Sequence, residues 1–216
     1  MTDERRVTAA ALVLGPLLFL VANLLHPKEF ATGHEAAQLA KIAEAYQRWQ
    51  VAHLITYLAI LLFAVAVVGL AVVVWRHDRR IGLWGGALGI GGLLALTGVL
   101  ALDGFAWGIA GEVWGRSDDA GKRTAELVLH DLQSSEWGLM FYVGALAWVV
   151  GMVVLAIALV RNRVVPAWAG ALLVVAVLLV GLEGAIHSNV YFVVAAAVLL
   201  AGGVAVARSL LAPRPA

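Results

Sequence analysis

Apolar residues occupy six long blocks of this chain: Val7–Leu25, Gln50–Trp75, Ile81–Leu102, Gly138–Val160, Val164–Ile186 and Val190–Ala207. Polar residues are concentrated between them. Each block holds roughly 18–26 residues, enough for a helix rising 1.5 Å per residue to cross a hydrocarbon core of about 30 Å. Two polar connections show a different period. In Gly33–Trp49, residues Ala36, Leu39, Ile42, Ala43 and Tyr46 fall on one helical face. In Asp118–Trp137, residues Ala125, Val128, Leu129 and Leu132 do the same, behind Asp118 or Asp119 as an N-cap. The pattern predicts an all-α integral membrane protein with a single transmembrane domain over 1–216. It has six transmembrane helices, and two amphipathic helices lie on the outer surface.

Composition sharpens this. The chain is 62% hydrophobic and only 13% charged, with a mean hydropathy of +0.92. A water-soluble domain of this length would carry about 25% charged residues. Six helices apolar on every side would leave a soluble protein almost nothing to present to water.

Charge sets an orientation. Arg5, Arg6, Arg76, Arg79, Arg80, Arg161, Arg163, Arg208 and Arg214 lie at one set of helix ends, against only Asp3, Glu4 and Asp78, for a net +6. The opposite ends carry Lys28, Lys41, Arg48, Arg116, Lys122 and Arg123 against nine acids, for a net −3. Basic short loops remain in the cytoplasm. The expectation is a multi-pass plasma (cytoplasmic) membrane protein with both termini cytoplasmic and the connections near 26–49 and 111–136 outside. Arg5–Arg6 before an apolar run has the outline of a signal peptide, but the run is long and no A-x-A site follows, so a retained first span is expected.

An internal repeat over 34–104 and 118–184 is suggested by aligned features. Leu83-Trp84-Gly85-Gly86-Ala87-Leu88 matches Ala167-Trp168-Ala169-Gly170-Ala171-Leu172, and Leu102-Asp103-Gly104 matches Leu182-Glu183-Gly184. The two copies share orientation, as in parallel-repeat transporters. The glycine pairs Gly82–Gly86 and Gly85–Gly89 are small-xxx-small spacings, read as scaffold. Trp49, Trp75, Trp84, Trp107, Trp114, Trp137 and Trp168 fit aromatic belts at the two interfaces.

Candidate chemistry gathers at the outer ends of the spans. An ionisable residue inside a span is costly, so Asp103 and Glu183 carry a functional expectation as an acid–base pair. His26, His53 and His187 fall at the same level, with His130 able to fold down from the connection above. Glu183 and His187 are four apart and share a helix face. The chain has no cysteine, which excludes disulfides and thiolate metal sites. Imidazole and carboxylate are then the remaining first-row metal ligands, with His53, Glu183 and His187 as the metal set. His26, His53, His130 and His187 are the wider cofactor-binding set, for a metal ion or a haem.

Three function classes remain. One is metal- or haem-dependent chemistry near the extracytoplasmic face. Another is an isomerase, cyclase or hydrolase using Asp103 and Glu183 on a lipophilic small molecule. The third is a binding or transport module without catalysis. Beside all of them stands a purely structural role, since histidine and tryptophan favour the interface on their own account. The partners expected are the lipid bilayer and a lipophilic small molecule. No phosphate loop, hydrolase elbow, metalloprotease motif or nucleic-acid signature is present.

Overall fold

The computed structural model describes residues 3–27, 35–134, 137–182, 186 and 188–212. Among them every regular element is helical: α1 (Asp3–Leu25), α2 (Glu35–Glu44), α3 (Tyr46–Trp75), α4 (Arg79–Ala101), a π-helical segment (Leu102–Trp107), α5 (Gly108–Arg116), α6 (Asp119–Ser134), α7 (Trp137–Arg161), α8 (Ala167–Gly181) and α9 (Asn189–Leu211). Taking Arg79–Arg116 as the continuous helix it is, there are eight helices. Five of them are long and apolar enough to cross a membrane: Asp3–Leu25, Tyr46–Trp75, Arg79–Arg116, Leu139–Arg161 and Asn189–Leu211.

The expected span Val164–Ile186 is described by a shorter helix. Pro166 has no N–H and sits extended, so α8 begins only at Ala167. The residues before it form the end of α7, where Val164 N–H reaches Leu159 C=O and Arg163 N–H reaches Val160 C=O. These two bonds are a Schellman motif, and its left-handed position is taken by Arg163 at φ 54° rather than by glycine. The described helix then runs 15 residues, to Gly181.

Neighbouring helices follow chain order around a ring, α1, α3, α4, α7, α8, α9 and back to α1. Across its centre Phe63 of α3 meets Trp148 of α7 at 6.2 Å. Leu70, Leu155, Leu159, Leu173 and Val206 are fully buried between the helices. Large apolar side chains also cover the outside: Leu61 is 63% exposed, Leu94 69% and Leu146 64%. A belt of this kind has no stable place in water, and it matches a hydrocarbon surround.

Glycine sets a close contact between α4 and α7. A Cβ on Gly151 would press on Gly89 N and lie 2.7 Å from Gly85 O; one on Gly92 would meet Trp148 N and Gly144 O. The α4 and α7 backbones therefore touch, as small residues allow in lipid. At the arginine-rich end Arg76 at the C-terminus of α3 pairs with Glu4 of α1 at 2.5 Å. The Asp78 carboxylate caps α4 by accepting from Arg80 N–H and Ile81 N–H.

At the opposite end the third long helix does not stop at Leu102. It passes through the π-helical segment and continues to Arg116. This extension changes the role of the amphipathic helices. Leu39 and Ile42 of α2 and Leu129 of α6 are fully buried, with Ala125 nearly so. Leu39, Ala125 and Leu129 pack with Trp107, Ala110 and Trp114 of the extended helix. Thus α2, α5 and α6 form a small cap with its own apolar centre. Ala36 and Val128, expected on the buried faces, are exposed.

Candidate functional site

Three helices meet beneath the cap. Helix α1 runs from the arginine-rich end to His26, whose N–H still bonds Ala22 C=O at 2.9 Å before Pro27 ends the helical pattern. Helix α3 enters at Tyr46 and places His53 in its second turn. Helix α4 brings Asp103 from the arginine-rich end into the π-helical segment. Such a segment inserts an extra residue into the helical register and turns the side chains beyond it; π-helical turns recur at functional sites.

His26, His53 and Asp103 each offer a ligand atom, all within 4.8 Å of one another. His53 is 96% buried by its 4% exposure, and Asp103 retains 28% side-chain exposure. The imidazole of His26 lies 4.8 Å from that of His53, centroid to centroid. Trp49 closes the group, with its ring 4.6 Å from His26 and 4.5 Å from His53.

The hydrogen bonds of His53 fix its chemistry. Its Nδ1 lies 2.8 Å from Trp49 C=O. A carbonyl only accepts, so Nδ1 carries the hydrogen. In the neutral ring Nε2 is then a bare lone pair, and it faces Asp103 Oδ2 at 3.3 Å. Two acceptors do not stand face to face in a buried place without a positive charge between them. A proton supplies it, as imidazolium or as carboxylic acid; a metal ion supplies it equally. An imidazole anchored through one nitrogen to a backbone carbonyl, with the other nitrogen turned to a shared point, is the usual posture of a metal-binding histidine.

Neighbouring groups hold this posture. Trp49 is 3% exposed and its Nε1–H donates to Gly104 C=O at 3.0 Å. It is therefore a wall of the cluster rather than an interfacial anchor, unlike Trp84 and Trp168, which are 65% and 63% exposed. A Cβ on Gly104 would lie 2.8 Å from His53 Cδ2, and one on Gly108 would lie 3.2 Å from Trp49 Cδ1. Gly111 receives Ile42 and Gly115 receives Ala43 of the cap. The run Gly104, Gly108, Gly111, Gly115 is thus a smooth strip on which the imidazole, the indole and α2 rest. Its 4-3-4 spacing is a helix-face signal already present in the sequence.

The remaining candidate residues fall elsewhere. His130 is on α6, 62% exposed, with Nδ1 at 3.1 Å from Glu35 Oε1 of α2, so it ties the cap together. Glu183 and His187 lie outside the described residues, as does His34. Tyr57 stands beside Asp103 with its ring 5.9 Å from Phe105, and its hydroxyl donates to Thr97 C=O at 3.4 Å.

A family model described as a domain of unknown function, DUF4386, matches residues 7–212. No curated protein and no solved structure matches the chain.

Proposed function

The chain belongs to the DUF4386 family, and from that premise we propose that it is a multi-pass membrane protein that binds one divalent metal ion between His26, His53 and Asp103. The observation that carries this reading is the confrontation of His53 Nε2 with Asp103 Oδ2 at 3.3 Å while Nδ1 is committed to a carbonyl. Two imidazoles and one carboxylate suit zinc or a first-row ion such as iron(II). Two atoms bonded to one ion at 2.0–2.2 Å at a tetrahedral angle stand about 3.4 Å apart, so the His53–Asp103 pair at 3.3 Å already fits and a pair near the 4.8 Å limit closes by about 1 Å or more on binding. Three protein ligands leave a coordination position for water or substrate, the arrangement of catalytic rather than structural sites. When bound, the ion would supply Lewis acidity or a one-electron couple. The chain's own part is to hold His53 by the Trp49 carbonyl and to exclude water with Trp49 and Gly104.

A haem fits less well. Two imidazoles gripping one haem iron stand on opposite faces of the macrocycle, and rings 4.8 Å apart leave no slot for it. A proton in place of the metal gives the acid–base reading, with Asp103 as its acid, and the 28% exposure of Asp103 supports that reading. In the membrane, α8 serves as the sixth span, the arginine-rich rim faces the cytoplasm and the cluster faces outward.

The test is elemental analysis of the detergent-purified protein, prepared without chelators. One equivalent of a divalent metal per chain is expected, lost in His53→Ala and Asp103→Ala with helicity retained. Protein that is metal-free and takes up neither zinc nor cobalt would remove the reading in favour of the proton-bridged pair.

A further inference from the structure

Depth along the helices places the cluster in the membrane. From Arg6 to His26 along α1 is about 30 Å, from Arg76 back to His53 along α3 about 35 Å, and from Arg79 to Asp103 about 36 Å. With the arginines at one headgroup layer and a hydrocarbon core of about 30 Å, all three ligands reach the opposite boundary, where acyl chains meet the ester and phosphate groups.

Above the cluster, Trp49 is 3% exposed, and Leu39 and Ile42 of the cap are fully buried against the glycine strip. Asp103, 28% exposed, has an open flank next to Tyr57 and Phe105, and His26 too is only partly buried. The surface around that flank is apolar: Leu54 is 59% exposed, Leu58 47%, Phe105 58% and Ile109 58%. A carboxylate facing such a surface is costly unless a polar group comes to it. A membrane lipid stands at the right depth to bring such a group.

We infer that the site takes a membrane amphiphile, admitted sideways from the bilayer alongside the contacting rings of Tyr57 and Phe105. Its oxygen-bearing head, an ester, phosphate or hydroxyl, meets the open position beside Asp103. Its tail stays in the leaflet along Leu54, Leu58 and Ile109. This rests on the metal-site reading for the head and on depth and exposure for the route.

The chain has no cysteine, so single thiols report access without background. In phosphatidylcholine nanodiscs, Phe105→Cys and Asp103→Cys are labelled with N-dodecylmaleimide and with the anionic sulfonatoethyl methanethiosulfonate. Ser134→Cys in the exposed end of α6 calibrates the two reagents. The ratio of alkyl to anionic labelling should be at least about 10-fold higher at 103 and 105 than at 134, because a sulfonate is poorly tolerated in an apolar surround. Equal ratios would overturn the lateral route. Phe105→Cys keeps all three ligands, so its metal content is read on the same sample. Metal bound with an equal ratio removes the route alone; lipid-side labelling in a metal-free protein removes the metal reading alone.

Discussion

Below Asp103, the Arg79–Arg116 helix meets α7 main chain to main chain, a Cβ on Gly92 falling on Trp148 N and Gly144 O and one on Gly151 of α7 falling on Gly89 N and Gly85 O; above Asp103 it carries Gly104, Gly108, Gly111 and Gly115 against α3 and α2. Gly85 and Gly89 receive the side chains of Leu155 and Val67, whereas at Gly92 and Gly151 glycine meets main chain. The contact is backbone on backbone, and its product is a rigid wall of the ring. In the upper half glycine meets the imidazole of His53, the indole of Trp49 and the branched side chain of Ile42. There the missing Cβ makes room for functional groups, and its product is an orientation. The same residue in the same helix builds a scaffold at one end and aims a histidine at the other. What separates them is the π-helical segment between, which changes the face the helix presents.

The contrast can be broken from either side. Gly151→Ala should have the largest effect on stability, because its Cβ would meet the main chain of α4 with no side chain able to give way. A loss of about 2–3 kcal/mol is expected in thermal or denaturant unfolding in detergent, while the surviving folded protein keeps its metal content. Gly104→Ala should invert that result. Its Cβ pushes the His53 ring, and metal affinity measured by calorimetric titration should fall about 10- to 100-fold for a cost in stability of about 1 kcal/mol. If both variants lost stability alike and neither lost metal, the two halves would be doing the same job.

Smaller changes sharpen the picture. Trp49→Phe keeps most of the wall but removes the bond to Gly104 C=O, for about 1 kcal/mol and a modest loss of metal affinity. Arg163→Gly should stabilise the protein by about 0.5–1 kcal/mol, since it relieves the left-handed strain at the end of α7. His130→Ala should cost at most about 0.5 kcal/mol and leave metal uptake unchanged, because its ion pair lies in the exposed cap.

These residues also mark what the sequence discloses. The long helices follow from hydropathy alone, because lipid demands unbroken apolar length. The level shared by His26, His53 and Asp103 follows from counting residues inward from the arginines, and the structure brings the three together. The continuation of the third helix through Asp103–Gly104 to Arg116 is not disclosed. An acid followed by glycine reads as a helix end, and a π-helical turn leaves no compositional trace. Trp49 is ambiguous for a related reason: an indole suits an aromatic belt and a buried wall equally until its N–H acceptor, Gly104 C=O, is known. The cap was legible as two amphipathic helices, but their partner was not, because it is the unannounced extension itself.

The most direct measurement is anomalous diffraction, or X-ray absorption at the metal edge, on crystals or purified protein loaded with zinc. The account predicts one ion bonded at 2.0–2.2 Å to His53 Nε2, an Asp103 carboxylate oxygen and a nitrogen of His26. A zinc-loaded preparation in which His53 and Asp103 still face one another at hydrogen-bond distance, with no ion between them, would contradict it.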